Sequence, residues 1–164
     1  MTITLRPIGS ADNPAMARII REVMTSYGLV GEGYSIMDPE VDQLDETYTR
    51  PGARYWVLES DEQILGGGGY GPLAGGEPHQ CEVKKMYFLP ALRGQGWGRR
   101  LLEQILTEAV VDGYRYAYIE TVHQLHQANQ LYKKFAFQPL TGPLGRTGHG
   151  ACDVWYGRDL GGIE

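Results

Sequence analysis

The sequence is poor in cysteine, poor in positive charge and free of long apolar runs. The two cysteines, Cys81 and Cys152, are too few for a disulfide framework or a multi-cysteine zinc site. Two reduced thiols are the simpler reading and fit a cytoplasmic protein. No run approaches the roughly 18 consecutive apolar residues that a membrane helix needs. The first residues, MTITLRPIGSADNPAM, lack the basic-then-apolar order of a signal peptide. Lys and Arg number 15 against 20 Asp and Glu, a net charge of −5. That excludes a general nucleic-acid binder, which presents a basic face. The expectation is therefore no membrane and no nucleic-acid partner.

What is abundant is glycine, with 23 in 164 residues, about twice the usual share. These glycines follow no collagen-like period, so they mark turns and close backbone approaches. Hydrophobic residues at 42% and charged residues at 21% are a globular balance, and the length suits a single domain over 1–164. Charge is uneven. Residues 1–80 hold 12 acidic and 5 basic side chains, and residues 81–164 hold 8 and 10. Such a split suits two unlike ligands, one cationic and one anionic, or else a merely solvated surface.

Periodicity predicts the elements in order. Thr2 to Pro7 reads as a strand. Asn13-Pro14 starts a helix whose apolar stripe runs from Met16 to Tyr27, with Gly28 ending it. Val41 to Tyr48 reads as a short helix. Tyr55–Ser60 and Gln63–Tyr70 form a hairpin across Asp61-Glu62. The four glycines Gly66 to Gly69 weaken the second of these strands, as when something passes close to its backbone. Gln80–Phe88 is a strand, Gly96 to Asp112 a long helix closed by Gly113, and Tyr114–Val122 a buried strand. Ala128, Leu131, Tyr132 and Phe135 mark a short helix. Phe137 to Leu140 and Ala151–Asp159 are extended. The order is β-α-α-β-β-β-α-β-α-β-β.

The chemistry concentrates in Met86 to Leu102, a strand, a proline turn, a glycine-rich loop and a helix start. Free N–H groups and the helix dipole make an anion site there, and Arg93, Arg99 and Arg100 add charge. A diphosphate fits. The Gly-Lys-Ser/Thr of a P-loop is absent, and the loop comes too late in the chain for a dinucleotide fold. Arg93-x-x-Gly96-x-Gly98 resembles the Arg/Gln-x-x-Gly-x-Gly/Ala signature of the GCN5-related N-acetyltransferase (GNAT) superfamily. Leu131-Tyr132-Lys133-Lys134-Phe135-Ala136-Phe137 resembles that superfamily's later Leu-Tyr-x-x-x-Gly-Phe segment.

The resemblance covers essentially the whole chain. It implies an α/β (α+β) fold with a mixed, mostly antiparallel sheet of about six to seven strands and about four helices. It implies a parallel pair, Gln80–Phe88 with Tyr114–Val122, splayed into an acyl-CoA cleft. Acetyl-CoA is the implied co-substrate, without a metal. Met86, Tyr87 and Phe88 would meet its pantetheine. Arg93, Gly94, Gln95, Gly96, Trp97, Gly98 and Arg99 would hold its diphosphate. Tyr132 aligns with the tyrosine that protonates the departing thiolate. The family's asparagine seven residues before that tyrosine is Leu125 here, and Asn129 is the substitute. Ala136 replaces the usual glycine, so a left-handed helix end there costs about 1 kcal/mol.

Direct attack by an amine needs a base, because an ammonium has no free lone pair. Glu82 is the first candidate, on the strand leading to the cofactor and on one side with Lys84, Met86 and Phe88. Glu120 is the runner-up. His149 and Cys152 lack a third orienting group for nucleophilic catalysis, and His123 and His126 lack a third metal ligand. The stretch Gly31–Asp42 is acidic, and Gly142–Asp153 offers Arg146, Thr147 and His149. Together they suit a small amine or amino-acid-like acceptor. The rival readings are an acetyltransferase of protein N-termini or lysines and a non-catalytic acyl-CoA sensor. A homodimer is a further expectation from the resemblance.

Overall fold

A computed structural model describes residues 2–161. The elements are β1 (Thr4–Pro7), α1 (Asn13–Ser26), α2 (Leu44–Tyr48), β2 (Arg54–Ser60), β3 (Gln63–Pro72) and β4 (Gln80–Phe88), followed by α3 (Trp97–Val111), β5 (Tyr116–Thr121), α4 (His126–Lys134), β6 (Gln138–Pro139) and β7 (Val154–Asp159). The order is the expected one. The strands form one seven-stranded sheet, β1-β2-β3-β4-β5-β7-β6, antiparallel except for β4 beside β5.

Each face of the sheet buries its own apolar layer. The stripe Met16, Ile19, Ile20 and Val23 of α1 packs with Tyr55, Val57 and Leu44. The stripe Leu101, Leu102, Ile105 and Ala109 of α3 packs with Leu58, Val83, Ala117 and Tyr132 on the other face. The glycines of β3 explain how both helices come so close. A Cβ at Gly67 would strike the Tyr55 ring and the Met16 sulfur, and one at Gly68 would strike Met86 and Leu101. What passes close to this backbone is the protein's own large side chains.

Helix ends follow local chemistry, with one exception. Gly28 and Gly113 close α1 and α3 in the left-handed conformation, at φ +73° and +99°. Ala136 closes α4 in the same way at φ +63°, with the Phe137 N–H bonded to the Tyr132 carbonyl. An alanine there carries the left-handed cost of about 1 kcal/mol. Asn13 does not cap α1 from outside. It is the first helical residue, and its side chain ties to Asp45 at the start of α2.

The feature that shapes the functional region lies in β4. Gly67 pairs with Tyr87 and Gly69 with Lys84, so Lys85 and Met86 together oppose Gly68. This is a β-bulge, with Lys85 left-handed at φ +52° and its carbonyl accepting a 2.7 Å bond from the Tyr55 hydroxyl. The extra residue reverses the alternation of faces. Cys81 and Val83 face α3 before it, and Met86 and Phe88 face α3 after it. The expected single side for Glu82, Lys84, Met86 and Phe88 is thereby corrected. Glu82 and Lys84 lie on the face opposite to Met86 and Phe88. Pairing with β5 also stops early, at Glu82 beside Tyr118, and beyond it the two strands part.

Candidate functional site

Near the point where β4 and β5 part, a cavity lies on each side of β4. The larger is a groove of about 660 Å³ between the end of β4, the loop into α3, and α4. Its floor includes Met86, Tyr87 and Phe88, and one end is formed by Arg93, Gly94, Gly96, Trp97, Gly98 and Arg99. Gly96 is left-handed at φ +82° and precedes the first residue of α3. The first intrahelical bond is from the Arg100 N–H to the Gly96 carbonyl, so the N–H groups of Trp97, Gly98 and Arg99 carry no helical partner. With the helix dipole they form an anion site. The Arg93 guanidinium bonds the Phe88 carbonyl at 3.0 and 3.2 Å, which fixes the loop against the strand it leaves. Arg99 lies beside Glu103, and Arg100 covers the Trp97 ring at 4.3 Å.

The smaller cavity, about 50 Å³, lies on the opposite face of β4. It is lined by Glu82, Lys84, Lys85, Glu120, His149 and Cys152, and by Tyr34 and Ser35 from the loop after α1. Tyr87 and Leu125 line both cavities, so the two are adjacent there. The two loops assigned to the acceptor do meet here. The Ala151 N–H bonds the Gly33 carbonyl at 3.2 Å, and His149 Nε2 lies 2.8 Å from Asp38.

The family model for the acetyltransferase (GNAT) family matches residues 16–137. The chain belongs to the GNAT family of acetyltransferases. It is 42% identical over 157 residues to the N-acetyltransferase YjgM of Escherichia coli K12, covering 95% of this chain and 94% of that one. It is 34% identical over 125 residues to an IAA acetyltransferase of Azospirillum brasilense, covering 70% and 73%. The fold resembles that of a GNAT-family acetyltransferase of Staphylococcus aureus Mu50, with a TM-score of 0.84 at 17% identity over 97% of this chain and 99% of that one. It also resembles YncA of Salmonella typhimurium, solved with its cofactor acetyl-CoA, with a TM-score of 0.73 at 20% identity over 98% and 95%.

Of the residues expected to hold a cofactor in this acetyltransferase, Met86, Tyr87, Phe88, Arg93, Gly94, Gly96, Trp97, Gly98 and Arg99 line the groove. Three others do not. Gln95 is exposed and bonds the Ala91 carbonyl at 2.7 Å. Asn129 donates to the Val122 and Leu125 carbonyls and accepts from the Tyr156 hydroxyl, so its amide is spent inside the protein. Tyr132 is buried against Phe137 and Tyr156 and is not part of the groove wall. Burial pushes its phenol above the ordinary value. Lys134, Gln127 and Gln130 of α4 do line the groove. They lie among the exposed or half-buried residues of α4, where Tyr132 alone is buried, and the sequence carries no signal that separates groove-lining polar residues from solvated ones.

The small pocket of the GNAT chain is a set of paired charges around Glu82, whose carboxylate is unpaired among the described residues. Lys85, almost wholly buried, binds Asp38 at 2.6 Å and Glu40 at 3.1 Å, and Lys84 binds Glu40 at 3.2 Å. Two carboxylates of the acidic loop, Asp38 and Glu40, are therefore neutralised by β4 lysines, and Asp42 pairs with Arg21 of α1. His149 bridges Asp38 and Glu120, with Nδ1 3.2 Å from Glu120. Burial alone would lower the His149 pKa, but the hydrogen bonds to Asp38 and Glu120 raise it to about 9. Glu82 is 4% exposed. Among the described residues no hydrogen bond reaches its carboxylate, and burial raises its pKa to about 7, with Lys84 pulling it down and Glu120 pushing it up. Cys152 is pushed up to about 12, first by burial and then by Glu120 and Glu82, so it stays a thiol and no nucleophile. Arg146 is exposed, with its backbone packed on Gly75, away from the pocket. His123 pairs with Asp153 on the surface, apart from both cavities. Among the described residues no helix is long and apolar enough to cross a membrane.

Proposed function

We propose that this acetyltransferase moves the acetyl group of acetyl-CoA to the amine of a small-molecule or amino-acid-like acceptor, by direct attack and with Glu82 as the base. The observation that carries this reading is a buried carboxylate with no hydrogen-bond partner among the described residues, in a small pocket that shares Tyr87 and Leu125 with a groove suited to the coenzyme. The groove's fit rests on unpartnered N–H groups at the start of α3 and on open space at Gly94 and Gly96, where a side chain would intrude. The backbone of Gly94 to Arg99 would hold the diphosphate, and the parted edge of β4 from Met86 to Phe88 would offer its amides to pantetheine.

Acetyl-CoA supplies an activated thioester when bound. The protein's part is to deliver an amine with a free lone pair. A carboxylate with a pKa of about 7 is matched to that task near neutral pH. Tyr132 remains protonated, and although it does not line the groove, the family resemblance makes it the donor candidate for the departing thiolate. Replacing Tyr132 with phenylalanine is expected to lower kcat about 10²-fold while the coenzyme Kd changes by less than about threefold. An unchanged kcat would leave Tyr132 only its packing against Phe137 and Tyr156.

The small volume favours a small acceptor over a protein segment. The test is release of free coenzyme A from acetyl-CoA across amino acids, polyamines, aminoglycosides and peptides. Release with small amines supports the reading. Release with peptides alone overturns the acceptor class, and coenzyme binding without any release favours a sensor.

A further inference from the structure

His149 has no role in the reaction as drawn above, yet it is the most heavily tied side chain near the base. Its two ring nitrogens are both engaged by carboxylates, Glu120 on β5 and Asp38 on the loop after α1. A donor atom of His149, one of Glu120 and one of Glu82 lie within 4.8 Å of each other. We propose that His149 is a positioning residue for this acetyltransferase, a cationic clasp that engages Glu120 and Asp38 so that Glu82 alone remains free to accept a proton.

The charges around it account for the need. The β4 lysines Lys84 and Lys85 are already paired with Glu40 and Asp38. Among the described residues Glu120 has no lysine partner, and besides His149 it receives only the Tyr118 hydroxyl, at 3.0 Å. Without a cation on His149, Glu120 would stand against Glu82 as a bare like charge. Two nearby carboxylates in a buried site do not both ionise readily, and the one without partners keeps its proton. Cys152, on the same loop as His149, stays neutral and adds no charge. The raised proton affinity of His149 keeps the clasp charged throughout the range in which Glu82 titrates.

The inference rests on Glu82 as the base, and its test separates the two ideas. The measurement is the acid limb of the pH dependence of kcat/KM. His149→Gln keeps hydrogen-bonding capacity and removes the charge, and should move that limb up by about half to one pH unit. Glu120→Gln removes the opposing charge and should move it down. The opposite signs guard against a merely damaged fold, which would lower the rate without shifting the limb. His123→Gln, in the surface pair with Asp153, should leave the limb in place. A limb that Glu82→Gln abolishes but His149→Gln leaves where it was overturns the clasp alone. A limb that survives Glu82→Gln overturns the base and the clasp together.

Discussion

Replacing Gly96 with glutamate is expected to weaken coenzyme binding by more than 100-fold while the protein stays folded. Two observations separate these effects. A Cβ on Gly96 meets nothing within 4 Å, so the substitution starts in open space, and Gly96 itself lines the groove. The backbone at φ +82° imposes a left-handed cost of about 1–2 kcal/mol on a non-glycine residue. That is a modest fraction of the stability of a domain this size. The carboxylate would stand where the unpartnered N–H groups of Trp97, Gly98 and Arg99 offer their positive ends. It would satisfy them and repel a diphosphate. Calorimetric titration with coenzyme A, alongside a thermal melt, reads both. Retained affinity in a folded protein would move the diphosphate site elsewhere.

Replacing Glu82 with glutamine is expected to lower kcat by 10²- to 10⁴-fold, the range that one general base supplies. The sign with pH follows from burial. Burial disfavours the charged carboxylate and raises its pKa to about 7. The base is therefore protonated and idle below that pH and active above it. The wild type should gain activity as pH rises through about 7 and then level off, and the variant should lose that limb. Glutamine has nearly the shape of glutamate and leaves no buried unpaired charge, so stability should fall little or rise. Coenzyme affinity should hold, because Glu82 faces away from the groove. A variant with full activity would exclude Glu82 from the chemistry.

Much of this was legible in the sequence because it is local. The apolar stripes of α1 and α3 and the glycines that end them need only neighbouring residues to act. The loop from Arg93 to Gly98 is likewise continuous in sequence, and its residues reach the groove almost as expected. What was not legible depends on distant partners. The bulge places a lysine, not a glycine, in the left-handed conformation, and its trace in the sequence is the glycine it opposes, Gly68. Without the bulge, strict alternation puts Glu82 and Met86 together, which is wrong. The clasp joins His149 to Asp38 across 111 residues of chain, beyond any periodicity. Asn129 matched a wanted residue type, but three hydrogen bonds within the protein occupy it. Arg146 had the right charge in the right loop, yet it points to solvent.

The bulge at Lys85 has an evolutionary consequence. One nine-residue strand serves two sites, and the added residue divides it into two stretches that look in opposite directions. Changes at positions 82, 84 and 85 alter the pocket behind the sheet. Changes at 86 and 88 alter the groove in front. With the acceptor in the pocket and the coenzyme in the groove, as proposed, selection on what the enzyme acetylates could proceed at 82, 84 and 85 with little effect on the grip on its acetyl donor. The Tyr55 hydroxyl that pins the bulge would keep the two histories largely separate, Tyr87 being the strand position that lines both.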